Sequence, residues 1–120
     1  MSAAAGCVFC RVVSGEVPAT LVHSDDDVVA FHDLSPQAPI HVLVVPRMHV
    51  RTFSELGAGA AGAGTVGALM SGVARTVEVL GLTEADGYRV LVNCGERASQ
   101  SVFHVHVHVM SGRRFGWPPG

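Results

Sequence analysis

The chain has 120 residues, enough for a single domain (1–120) with its own hydrophobic core and no need of disulfide or metal staples. Its formal charge is −2, so no basic field marks it as a nucleic-acid binder. All eight basic residues are arginine, and without lysine neither Schiff-base chemistry nor a P-loop is open to it.

At the start, Ala4-Ala5-Gly6-Cys7 has the look of a lipoprotein cleavage site, but only six residues precede the cysteine. They include neither a basic n-region nor an apolar h-region, so a cytoplasmic protein is expected. In that compartment the three cysteines are thiols or metal ligands rather than disulfides. Cys7 to Ser14 reads as a short helix or turn, closed by Gly15 and Pro18. Thr20–Ser24 and Val28–Asp33 read as two strands joined by the acidic turn Asp25-Asp26-Asp27. Two prolines make Ser35-Pro36-Gln37-Ala38-Pro39 a loop, since each removes a donor and pushes its predecessor out of helical geometry. His41–Val45 is the next strand, stopped by Pro46.

Ser54 and an Ala/Gly run lead into the main helix. Its later half places Val66, Leu69, Met70, Val73, Val77 and Leu80 at three- and four-residue steps, with Gly81 as its stop. The Gly59–Gly67 stretch either frays or lets the helix pack closely, at a cost of up to about 1 kcal/mol per glycine. Mean hydropathy is high at +0.38, and Leu56–Ala74 is uncharged. Its six glycines and alanine-rich first half are not those of a spanning helix, so no membrane partner is expected. Tyr88–Asn93 and Val102–Val109 are the last strands. Five strands and one main helix on short connections predict an α+β fold, a five-stranded antiparallel sheet packed on helix.

The last strand holds the decisive pattern. His104-Val105-His106-Val107-His108 alternates imidazole with valine, and a strand repeats every two residues. All three histidines therefore fall on one face, presenting groups that titrate near neutrality. A half-buried strand with a polar outer face would be the plain structural explanation, but Thr, Ser or Arg would serve that purpose equally well. The loop Asn93–Ser101 feeds into this strand with small and hydroxyl residues, which can offer N–H and O–H donors to an anion. A neutral imidazole nitrogen is a competent nucleophile toward phosphorus. Separately, Cys7-x-x-Cys10 is a zinc half-site that His49 and His104 would complete as a tetrahedron; a lone CxxC also occurs as a redox pair, but no thioredoxin-like βαβ setting surrounds this one.

His104-Val105-His106-Val107-His108-Val109-Met110 resembles the signature of the histidine triad (HIT) superfamily of nucleotide hydrolases and transferases. Cys7-Val8-Phe9-Cys10, the segment Ala30–Pro39, His41, Val45–His49, Gln100–Phe103 and the terminal Trp117-Pro118-Pro119-Gly120 resemble its HINT branch, the histidine triad nucleotide-binding proteins. The resemblance runs from Cys7 to Gly120 and is weakest between Glu55 and Met70. It implies a HIT-like fold with a short N-terminal helix and a purine nucleoside phosphoramidase, which cleaves the P–N bond of AMP-amine substrates through a nucleotidyl-histidine intermediate.

The same resemblance assigns the roles. His106 is the nucleophile, its other nitrogen held by a backbone carbonyl. His108 contacts the α-phosphate and assists the leaving group, and His104 with His41 completes the proton relay. Asp33 takes the ribose hydroxyls, while Val8, Phe9, Val12, Phe31 and Leu34 sandwich the base. Asn93, Ser99, Ser101 and Val102 meet the phosphate and leaving group, with Ser99 standing where the branch commonly has glycine. Trp117 reaches a partner subunit's pocket, implying a homodimer. Several bacterial members bind structural zinc with the Cys7, Cys10, His49 and His104 set, which would divert His104 from the relay. Cys94, His23 and His32 receive no role. Two further readings stay open: a HIT hydrolase or transferase acting on dinucleoside polyphosphates or nucleotide esters, and a non-catalytic nucleotide- or metal-binding module.

Overall fold

Alternation along the central strands decides which layers cover the sheet. A computed structural model describes residues 4–57 and 62–120. Strands β1 (Leu21–Ser24), β2 (Val28–His32), β3 (Ile40–Pro46), β4 (Tyr88–Val92) and β5 (Val107–Ser111) form one antiparallel sheet, ordered β1-β2-β3-β5-β4. Val28, Ala30, Val42, Val44, Val107 and Val109 project from one face onto Leu69 and Val73 of the long helix. Val29, Phe31, Leu43 and Val45 project from the other onto Phe9. β2 and β3 are thus buried on both faces, and each enclosed valine contributes roughly 1.5–3 kcal/mol of hydrophobic stabilisation.

Three helices complete the chain: α1 (Val8–Val13), α2 (Phe53–Leu56) and α3 (Gly62–Leu80). The expected main helix is α3; Ser54 belongs instead to the separate, single-turn α2, capped at Gly57. The first part of the Gly59–Gly67 stretch lies outside the described residues. Within the rest, Gly64 and Gly67 face open space, so they bring no neighbour close. Close packing falls to Gly72, where a Cβ would lie 2.4 Å from Val28 Cγ2. Gly81 does stop α3: with φ +70 it lets its own N–H reach Glu78 O and the Leu82 N–H reach Val77 O. Among the described residues, no helix is long and apolar enough to cross a membrane.

The last strand differs from its expected bounds. It runs Val107–Ser111, not Val102–Val109, its first ladder partners being Val44 of β3 and Val92 of β4. The Val105 N–H donates to Val50 O at 2.7 Å instead of extending the ladder. Val105 still joins the core under α3, so the alternation outlasts the strand, and His104, His106 and His108 stay on the α1 side.

Candidate active site and metal centre

His104 is fully buried, and its ring is held at both ends. Nε2 lies 2.8 Å from Pro46 O, which can only accept, so the proton sits on Nε2 and the Nδ1 lone pair points away. That lone pair meets Cys7 Sγ at 3.4 Å, Cys10 Sγ at 3.5 Å and His49 Nδ1 at 3.2 Å; Cys10 Sγ is 3.2 Å from His49 Nδ1. All four donor atoms lie within 4.8 Å of one another. Tetrahedral zinc, with bonds of about 2.0–2.3 Å to nitrogen and sulfur, needs neighbouring donors roughly 3.3–3.8 Å apart. The donor set fits a metal ion of that kind. The CxxC spacing supplies both thiols because Cys7 is the N-cap of α1, its Sγ accepting the Cys10 N–H, so one turn brings both sulfurs to one side.

The other two triad histidines open onto a cleft of about 290 Å³ between α1, β2 and the Ser101–Val102 segment. His106 Nδ1 donates to His104 O at 2.9 Å, leaving the lone pair on Nε2. His108 is set from the opposite direction. The Gln37 N–H donates to His41 Nδ1 at 2.9 Å, so His41 carries its proton on Nε2 and donates it to His108 Nδ1 at 2.8 Å. His108 must then hold its own proton on Nε2, which is buried with no hydrogen-bond partner among the described residues. The cleft therefore receives one free imidazole lone pair and one free imidazole N–H, on rings 5.0 Å apart.

Burial keeps this relay neutral. It pushes the His108 pKa down to about 4, helped by His106 and His41 and opposed by the Asp33 carboxylate. Burial also lowers the His41 pKa, again against Asp33. The 3.4 Å contact from His41 Nε2 to Asp33 Oδ2 is thus a polar contact to a neutral ring rather than an ion pair. His104 is lowered to about 4 by burial, with the Pro46 bond working the other way.

The chain matches the HIT domain family over residues 14–115. It belongs to the HIT family. It is 36% identical over 113 residues to the 14 kDa zinc-binding protein of Brassica juncea, covering 94% of this chain and 98% of that one. It is equally 36% identical to adenylylsulfatase HINT1 of Arabidopsis thaliana, over 94% of this chain and 76% of the relative. The crystal structure of a HIT family hydrolase from Legionella pneumophila superposes with a TM-score of 0.87 at 35% identity, covering 96% of this chain and all of that one.

In this HIT domain, Val8, Phe9, Val12, Phe31, Asp33, Leu34, Ser101, Val102, His106 and His108 all line the cleft. His41 reaches it only through His108, and His104 faces the Cys7, Cys10, His49 group instead of the relay. Asn93, Ser99 and Trp117 do not line the cleft of the single chain. Ser99 closes the short 3₁₀ turn Glu96–Ala98 with φ +68, a left-handed conformation that suits the glycine common there in the HINT branch. Trp117 is 85% exposed. Sequence reasoning missed Val17, Pro18, Ala19 and Leu43 on the cleft wall, and also His32, to which it gave no role; it missed as well the backbone groups of Gln37 and Pro46 that set two tautomers. Backbone donors and acceptors are the same in every residue, so no side-chain pattern signals them.

Proposed function

We propose that this HIT domain is a purine nucleoside phosphoramidase, hydrolysing the P–N bond of AMP-amine substrates through a nucleotidyl-His106 intermediate. The observation that carries the reading is the pairing of a His106 Nε2 lone pair with a His108 Nε2–H on one cleft wall. The base lies between Val8, Phe9, Val12, Phe31 and Leu34, and Asp33 accepts from the ribose hydroxyls. The phosphate then meets the two imidazoles. A bond forms from His106 Nε2 to phosphorus as the P–N bond breaks; the departing amine takes its proton from water, while the neutral His108 Nε2–H donates a hydrogen bond to the phosphoryl oxygen as charge builds there. Water attacks next, releasing the monophosphate from His106 and its spare proton to solvent. Asn93, Ser99, Ser101 and Val102 assist at the phosphate and leaving group. Trp117, projecting from the body of the chain, reaches the cleft of a second copy in a homodimer.

The ion for the Cys7, Cys10, His49 and His104 set is zinc in a structural role. Two thiolates and two imidazoles suit it, and four protein ligands leave no position for a substrate or water, so its part is to tie α1 to the strand entry beside His106.

A second reading takes adenylyl esters or anhydrides instead, favoured by the name of the Arabidopsis relative. The nucleophile is unchanged and only the leaving group differs. Rapid quench and mass spectrometry with an adenosine phosphoramidate should trap adenylate on His106. Parallel rates on adenylyl sulfate and a dinucleoside polyphosphate rank the leaving groups. An adduct on any other residue, or none with any of these substrates, overturns the nucleophile assignment.

A further inference from the structure

The relay's direction depends on the backbone of a single residue, Gln37, whose two adjoining peptide groups are each held by a side chain. Its N–H donates to His41 Nδ1 at 2.9 Å, and its carbonyl accepts from Arg113 Nε at 3.0 Å. Arg113 is exposed, yet its guanidinium is fixed: Nη1 donates to Arg114 O at 3.1 Å and the group stacks 4.4 Å from the Phe115 ring centroid. A second guanidinium, that of Arg89, lies 5.1 Å from the Phe115 ring centroid and donates from Nη2 to Gly116 O at 2.8 Å. The C-terminal segment is therefore clamped onto the loop between β2 and β3. That approach is tight at Gly112, where φ is +98 and a Cβ would lie 2.8 Å from Pro39 Cβ.

We infer that Arg113 is a positioning residue for the proton relay: by anchoring the Gln37 carbonyl it holds the backbone of that residue in place, keeps the Gln37 N–H on His41, and so fixes the tautomer that makes His108 Nε2 a donor into the cleft. A neutral imidazole has one proton, and its location follows whichever bond is made at the other nitrogen. If the Gln37 N–H turns away, His41 Nδ1 loses its donor and the proton is free to occupy either nitrogen. With the proton on Nδ1, His41 Nε2 becomes an acceptor, His108 Nδ1 takes the proton to bond it, and the cleft receives a lone pair where it had a donor. Two acceptors then face the phosphate, and the charge building on its oxygen has no donor to meet it. No protonation change is involved, only a relocation along the chain Gln37–His41–His108.

The inference rests on the proposed phosphoryl-transfer reading for its effect on rate, but not for its effect on tautomer. Long-range ¹H–¹⁵N correlation spectra of the labelled full chain read the His41 tautomer directly. The unsubstituted protein should show His41 protonated on Nε2 alone. Arg113→Ala should move both His41 nitrogens toward averaged shifts, while kcat on an adenosine phosphoramidate falls about tenfold with KM changed less than about twofold. Arg114→Ala removes the same charge from a neighbour whose guanidinium makes no hydrogen bond among the described residues, and it should leave the His41 signals in place. An unchanged His41 in Arg113→Ala overturns the inference, as does an equal shift in both variants. Absence of turnover in the unsubstituted protein would count against the proposed function and leave the spectral comparison standing.

Discussion

His41 Nε2 lies 2.8 Å from His108 Nδ1, and that contact ties the half-buried His108 ring to the buried His41. His106 is oriented independently, by the carbonyl of His104 two residues before it. The proposed nucleophile and the donor facing it are thus set by separate backbone groups, and substitutions in one need not disturb the other.

His106→Ala should abolish turnover, by at least roughly 10³-fold, because the covalent route has no substitute nucleophile in the cleft. Nucleotide binding should persist, since the apolar wall of Phe9, Phe31 and Leu34 is untouched. Calorimetric titration with AMP beside steady-state rates separates these outcomes; substantial residual hydrolysis would sink the assignment.

The pH dependence follows from burial. His108 has a folded pKa of about 4, so it stays neutral at pH 6, where an exposed histidine is largely protonated, and burial lowers His41 as well. Below about 6.5 the unfolded chain binds protons that the folded relay refuses. Stability is therefore fully present above that value and declines as pH falls toward 4, levelling off once the folded rings protonate. His108→Asn should flatten this part of a urea-midpoint profile; an unaltered slope would show that the decline comes from other groups.

Removal of the ion by a strong chelator should lower Tm by roughly 5–10 °C, on the order of 2 kcal/mol for a domain of this size. The hydrophobic layers of both sheet faces remain, so the fold should survive. Cys7→Ala should lose the metal by elemental analysis and show the same Tm drop, with measurable activity retained. Complete loss of activity on chelation with the fold intact would point to a catalytic ion instead.

Glycines of α3 should divide by their surroundings. Gly67→Ala places a methyl in open space and should stabilise the helix by about 0.5–1 kcal/mol. Gly72→Ala drives one into the stiff side chain of Val28 and should cost about 1–3 kcal/mol by overpacking. Thermal melts of the two variants should therefore move in opposite directions.

Much of the architecture was legible because it rests on periodicity. The valines around His106, the spacing of Leu69 and Val73, and the prolines of the 35–39 loop each identified their element before any contact was known. The start of β5 was misplaced because β-propensity does not register that the Val105 N–H finds its partner in Val50 O rather than in the ladder. Gly72 was unremarkable in sequence, since only the crossing of α3 over β2 brings it to Val28.

The sequence by itself determined that three imidazoles would share one face and that two thiols would lie one helical turn apart, for both follow from the repeat of a single element. Only the tertiary structure decided what each imidazole does. His104 was turned to the thiols, His106 was left with a free lone pair and His108 with a free N–H. Those assignments come from Pro46, His104 and Gln37 backbone groups, two of them far from the triad in sequence, and a neutral ring places its proton according to the partner it meets.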